Sequence, residues 1–380
     1  MPVLCRFRLL GTRTIQVLAC SFRQKCERRW NESIGVPWSA GYPVRRLPDP
    51  ELRTRNSAIV KVRQCSICGS DLHMYHGDTI GKTRYDSDTP TFCTGHEFIG
   101  EVVETGADVH RFSVGDAVLS AGGTGCGRST ACLTGRPLDC RHATAFGIGP
   151  GLQGGQAQYV CIPNADTTLL DTEGALTDEQ ALLLTDAMAT AFFGITRADI
   201  HPGASVAVIG LGPIGLIGVE LAFLLGASRV FAIDPVAGRR AMANRLGAIA
   251  LDANSDSHAT IMEATQGAGV PSVFEASGAS AAIASVLPLT ARGGTASFIG
   301  IPQPSDTLSM QQVLFKNITI RGGICPVPET CPHLMPLIRE GRITAPDLFS
   351  HRFDLADGAD AYRLFDSRDD GVVKIAIDVA

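Results

Sequence analysis

The chain has 380 residues, 45% of them hydrophobic, with 41 glycines and a formal net charge of −5. That length exceeds what one hydrophobic core usually serves, so two domains are expected; the acidic balance excludes the basic footprint of a nucleic-acid or anionic-membrane binder. No run approaches the roughly 18 uninterrupted apolar residues of a membrane span, and twelve cysteines in so long a chain, without a clear secretory signal, read as cytosolic thiols and metal ligands.

The first forty residues carry Arg6, Arg8, Arg13, Arg23, Lys25, Arg28 and Arg29 against Glu27 and Glu32, with no stable apolar period. This composition reads either as a targeting leader or, given its few serines and missing amphipathic pattern, as an irregular extension over 1–40. Pro48-Asp49-Pro50 ends the lead-in, and Ala58-Ile59-Val60-Lys61-Val62 predicts a strand running into Cys68. The two motifs Cys68-Gly69-Ser70-Asp71-Leu72-His73 and Gly95-His96-Glu97 together hold a thiol, a hydroxyl, two imidazoles and two carboxylates. A thiolate and an imidazole on separate loops suit zinc, and three protein ligands with an open position make a catalytic site. The bland alternative is a surface loop with a chance Cys/His pair. Apolar/polar alternation through Ile99, Val102 and Val103, and again at Ala117-Val118-Leu119, predicts further strands between glycine turns. Residues 41–188 therefore form a mainly β domain.

Thr177 and Gln180 make a capping box for a helix rich in Ala, Leu and Met that is expected to run to Phe193. Asp186 falls inside it, where a carboxylate needs a cation or hydrogen-bond donors unless that turn is exposed. Strand and helix then alternate. Ser205–Ile209, Val230–Ile233, Val273–Glu275, Ala296–Ile299 and Ile318–Arg321 read as strands, and Pro213–Leu225, Pro235–Leu246, Ala279–Leu289 and Met310–Phe315 as helices. This is the pattern of a doubly wound parallel sheet over 189–325. The tail, 326–380, is mixed, ends in a strand Val372–Ile377, and is expected to rejoin the first domain.

Gly210-Leu211-Gly212-Pro213-Ile214-Gly215 follows the first of these strands and opens a helix, the context that a dinucleotide fingerprint requires. Gly210 makes the turn, Gly212 admits pyrophosphate and Gly215 packs helix on strand. Asp234 ends the next strand, nineteen residues past Gly215. A carboxylate there accepts ribose hydroxyls and repels a 2′-phosphate, which favours NAD; the nearby Arg239 argues for NADP.

A β domain with this Cys/His/carboxylate cluster, interrupted by a Rossmann unit, resembles the zinc-dependent medium-chain alcohol dehydrogenase family from about residue 44 onward. The resemblance implies an α/β protein in which a Rossmann sheet is inserted in a GroES-like catalytic domain. It also implies catalytic zinc on Cys68, His96 and Asp186, with Glu97 beside the metal. By the same resemblance an NAD(P)-dependent enzyme passes hydride between an alcohol and the nicotinamide through a zinc-bound alkoxide. Ser70 and His73 are then the proton path, and Thr190 and Ile214 lie behind the nicotinamide. Gly122, Tyr159, Ile301 and Ile324 line the pocket for a small alcohol or aldehyde. The family places a second, structural zinc on four cysteines. Here Cys126, Ser129, Cys132 and Cys140 stand in those places, and a hydroxyl is a poor zinc ligand. Gly69 stands where some members carry a pyrophosphate-binding arginine. Analogy with the polyol, threonine and secondary-alcohol branches implies a cytoplasmic homo-dimer or homo-tetramer. The rivals are a zinc-free quinone or enoyl reductase, which lacks the Cys68/His96/Asp186 set, and a binding protein that keeps only the fold.

Overall fold

The computed structural model describes residues 31–35, 44–77, 90–172, 174, 176–344, 348–369 and 371–379. Alternation drives the first sheet. In the middle of Ala58–Ser66 the side chains at 60, 62 and 64 are buried and those at 61 and 63 face solvent, while Ile59 at one end and Cys65 at the other are buried on the second face as well. Numbered in chain order, the strands outside the Rossmann unit are β1 (Asn31–Ile34), β2 (Val44–Leu47), β3 (Ala58–Ser66), β4 (Phe98–Thr105), β5 (Ala117–Ser120), β6 (Gly123–Thr124), β7 (Thr144–Ala145), β8 (Tyr159–Ile162) and β9 (Leu169–Asp171). After that unit (β10 to β15) come β16 (Phe349–Asp354) and β17 (Lys374–Asp378). One sheet has the order β16-β17-β3-β4-β5-β9, with β8 also paired to β3. The C-terminal strand thus lies antiparallel beside β3, Ile377 opposite Cys65.

The expectation of an irregular 1–40 does not hold over its described part. Asn31–Ile34 pairs with β2, and Ile34 is fully buried in the core that includes Tyr362 and Phe98. A strand of four residues with a single apolar member, Ile34, is too short for periodicity to reveal; its partner and the core made it. Residues 1–30 and 36–40 lie outside the described part.

The second sheet is built from β10 (Ser205–Ile209), β11 (Arg229–Ile233), β12 (Ile249–Leu251), β13 (Val270–Glu275), β14 (Thr290–Phe298) and β15 (Thr319–Gly322). All pairs are parallel and the order is β12-β11-β10-β13-β14-β15. Relative to the unit's own strands this is 3-2-1-4-5-6, with the strand order reversing between β10 and β13, where such sheets open a ligand crevice. Its central strands are buried on both faces and so read as continuous apolar runs.

Between the sheets the expected single helix is two, Asp178–Leu184 and Ala187–Arg197. The capping box at Thr177 and Gln180 is present, but the chain leaves helical geometry at Asp186 (φ −154°, ψ −73°), the N-cap of the second helix. There one Asp186 oxygen meets Cys68 and His96 on other elements while the second accepts the hydroxyl of Thr190 in the helix that follows. The helix Val327–Arg339, hidden in sequence by Pro332 and Pro336, packs on Ala187–Arg197 and shares its core.

Candidate metal centre and cofactor site

Three separate elements deliver the donors. The strand β3 ends just before Cys68; His96 and Glu97 precede β4; Asp186 heads the helix Ala187–Arg197. One donor atom from each of Cys68, His96, Glu97 and Asp186 lies within 4.8 Å of the others. Asp186 Oδ2 is 3.3 Å from Cys68 Sγ and 3.5 Å from His96 Nε2. Tetrahedral zinc, with Zn–N about 2.0 Å and Zn–S about 2.3 Å, places neighbouring donors about 3.3–3.7 Å apart, so this spacing fits the ion. The other Asp186 oxygen accepts the Thr190 hydroxyl at 2.5 Å, which fixes the carboxylate's orientation.

The electrostatics of the donor set are those of mutually coupled buried groups. Burial, with Asp186 and Glu97 nearby, pushes the Cys68 thiol up to about 11. Burial alone would lower the His96 imidazole, but Asp71 and Asp186 outweigh it and hold it well above its usual value. Asp186, despite burial, is held far below the carboxylate range by its bond to His96. A divalent ion would take over the role that the His96 proton plays between these groups and favour the Cys68 thiolate.

Three residues of this centre escaped the sequence reading of roles. Asp71, completely buried, accepts Cys68 N–H at 3.0 Å and faces His96 Nδ1 at 3.4 Å. The contact is an ion-pair approach rather than a completed hydrogen bond, since Asp71 Oδ1 and His96 Nδ1 are both buried without a hydrogen-bond partner, yet it sets a carboxylate beside the ring nitrogen that faces away from the donor set; an acid three positions after the cysteine was the available signal. Lys374 on β17 puts Nζ 2.6 Å from Glu97 Oε2, with the two side chains 2% and 1% exposed. Ser66 donates its hydroxyl to the same oxygen, while Glu97 Oε1 is buried without a hydrogen-bond partner. Glu97 is therefore tethered at the edge of the donor set. Ser70 N-caps the helix Asp71–His76 without a side-chain capping bond, and His73 lies one turn on, half-buried.

The fingerprint forms the turn its sequence required. Gly210 has φ +87°, a Cβ on it would fall 2.6 Å from the Ser277 side chain, and a Cβ on Gly215 would fall 1.8 Å from Gly210 O. At Gly212, the N-cap of Pro213–Leu224, a Cβ would enter open space, leaving the backbone N–H end accessible to a diphosphate. Ile214 is half-buried on that helix, which packs against Ala187–Arg197 and so joins the fingerprint to Asp186 and Thr190. Asp234, 4% exposed, accepts Leu211 N–H at 2.7 Å and Val236 N–H at 2.8 Å. Arg239 turns instead to Val372 O at 3.2 Å. Glu275, buried at the end of β13, accepts from Ser277 N, Ser277 Oγ and Gly278 N and shapes the loop opposite the fingerprint. Around the metal donors, Gly122 approaches His96, while Ile301 and Ile324 are 37% and 62% exposed.

A second cluster, Cys126, Cys132 and Cys140, has its sulfurs within 4.8 Å of one another. The Cys126 thiol is lowered to about 6, chiefly by the Arg128 N–H and the Ser129 hydroxyl.

Two family models match the sequence: the alcohol dehydrogenase GroES-like domain over residues 54–172 and the zinc-binding dehydrogenase over 213–340. A protein of Mycobacterium tuberculosis described as "Probable zinc-binding alcohol dehydrogenase" is 39% identical over 87% of this chain and 84% of its own length. The L-threonine 3-dehydrogenase of Bacillus velezensis is 32% identical over 83% of this chain and 90% of its own. Among solved structures, the alcohol dehydrogenase TADH from Thermus sp. ATN1 superposes with a TM-score of 0.83 at 30% identity, covering 92% of this chain and all of that one.

Proposed function

The chain belongs to the zinc-dependent medium-chain alcohol dehydrogenase family, and on that premise we propose that it passes hydride between an alcohol, or the matching aldehyde or ketone, and NAD. The observation that carries this reading is the convergence of Cys68, His96 and Asp186 from three elements, with Asp186 3.3 Å and 3.5 Å from the other two donors and all within 4.8 Å. Zinc held by these three would supply Lewis acidity, and the bound nicotinamide would exchange the hydride. The residues do the rest. Asp71 orients the His96 ring. Lys374 and Ser66 restrain Glu97 beside the donors. Ser70 takes the alcohol proton and relays it toward His73 and solvent, because its hydroxyl is not consumed in capping. Thr190 holds Asp186 and borders the nicotinamide face.

Support for NAD comes from Asp234, whose carboxylate is fixed by two backbone N–H groups at the fingerprint turn, and from Arg239, which is directed to Val372 O. We assign a homo-oligomer on the exposed edge of the second sheet: β15 is exposed throughout, and the helix Met310–Lys316 before it buries no residue and shows Met310, Leu314 and Phe315 to solvent. No helix among the described residues is long and apolar enough to cross a membrane. The nine described cysteines are free thiols, which supports a reducing compartment and a cytoplasmic placement.

The test combines metal analysis with reduction of NAD and NADP across a panel of alcohols. Wild type should hold zinc and reduce NAD faster than NADP, and Asp186→Ala should lose the catalytic zinc and the activity together. An Asp186→Ala protein that reduces NAD at the wild-type rate ends the reading.

A further inference from the structure

In the thiol lobe, the residue between the first two cysteines is placed where a ligand would be. The Ser129 hydroxyl lies 3.3 Å from Cys132 Sγ, beside a cluster in which the sulfurs of Cys126, Cys132 and Cys140 lie within 4.8 Å of one another. A hydroxyl that meets one of three converging sulfurs stands where a fourth donor would complete the set. The surroundings fit a metal–thiolate site. Backbone N–H groups point at sulfur, His142 N at 3.4 Å from Cys140 Sγ among them. Gly125 closes over the cluster so tightly that a Cβ would fall 2.5 Å from Cys132 Sγ and 2.8 Å from Pro137 O. Gly127 turns with φ +72° against Asn164, whose amide holds Gly125 O at 2.7 Å. Ser129 also keeps the lobe in shape on its own account, since its oxygen caps the turn Thr130–Leu133 through Cys132 N–H.

A closed structural zinc site has four strong donors. Here three are thiols and the fourth is a neutral hydroxyl, harder and more weakly binding than thiolate. We propose that this lobe binds zinc through Cys126, Cys132 and Cys140 with the Ser129 hydroxyl in the fourth position, and that the substitution makes the ion exchangeable. The lobe's fold survives loss of the ion because Ser129, Asn164 and Gly125 hold it by hydrogen bonds. The proposal depends on the lobe being a zinc site but not on the catalytic assignment.

The experiment follows N-ethylmaleimide labelling cysteine by cysteine, by peptide mass spectrometry, on zinc-replete protein before and after EDTA. Zinc should shield Cys126 and Cys140, and EDTA should remove that shielding at least about tenfold faster in wild type than in Ser129→Cys, tenfold being the smallest usual effect of losing even an outer partner of a metal ligand. Ser129→Ala should lose shielding faster than wild type. Cys68, read on its own peptide, reports the catalytic site separately, so failure there leaves the lobe result standing. Equal labelling of Cys126 with and without zinc, or equal rates of loss in wild type and Ser129→Cys, overturns the proposal. If Ser129→Cys does not fold, 113Cd NMR of wild type decides, with a resonance for three sulfurs and one oxygen expected and a four-sulfur signal refuting it.

Discussion

Replacing Lys374 with methionine removes the ammonium and keeps most of the apolar stem. In the native protein that ammonium sits 2.6 Å from Glu97 Oε2, both side chains almost fully buried, and Glu97 Oε1 has no hydrogen-bond partner. Burial would lower the Lys374 ammonium, but Glu97 outweighs it and holds it raised. Burial raises the Glu97 carboxyl, and the Lys374 charge holds that rise in check. Breaking such a pair from one side costs about 3–5 kcal/mol. Only the Ser66 hydroxyl would remain on the carboxylate. If the catalytic domain melts as one unit of about 200 residues, Lys374→Met lowers its midpoint by on the order of 10 °C. The pH dependence has a definite sign. A carboxyl whose folded pKa is raised contributes stability in full below its unfolded value, about 4.3, and loses that contribution as pH rises through the folded value. Lys374→Met raises the folded value further, so its deficit should be small near pH 4.5 and grow toward pH 8. Thermal melts of wild type, Lys374→Met and Lys374→Met/Glu97→Gln across that range test it, and the double variant should recover most of the loss. A deficit under about 0.5 kcal/mol at pH 8, the range of an ordinary surface substitution, or one that does not change with pH, refutes the account of the pair.

Two glycines of the fingerprint should part company. Gly212→Ala places its methyl in open space and should leave the melting temperature within a degree or two while weakening dinucleotide binding in calorimetry; Gly215→Ala drives a methyl against Gly210 O and should destabilise the fold itself. Asp71→Asn should keep the fold yet weaken zinc retention about 10–100-fold in a chelator competition, because the His96 ring loses its anionic partner. Retention equal to wild type would show that His96 is oriented by something else.

What the sequence alone determined was local. The turn at Gly210, the helix start at Pro213 and the capping box at Thr177 depend on residues within a few positions of one another, so their chemistry is legible before folding. Alternation likewise revealed most strands of both sheets, because burial of one face or of both writes a period into the residues. The short elements β1 and β12 left no such mark, and Pro332 and Pro336 disguised a helix. The tertiary structure decided how distant residues meet. Cys68 and Asp186, 118 positions apart, come within 3.3 Å only because the helix break at Asp186 faces the end of β3. Lys374 reaches Glu97 across 277 positions because β17 closes the sheet beside β3. A buried charge announces in sequence that it needs a partner; only the packed sheet says which one it has.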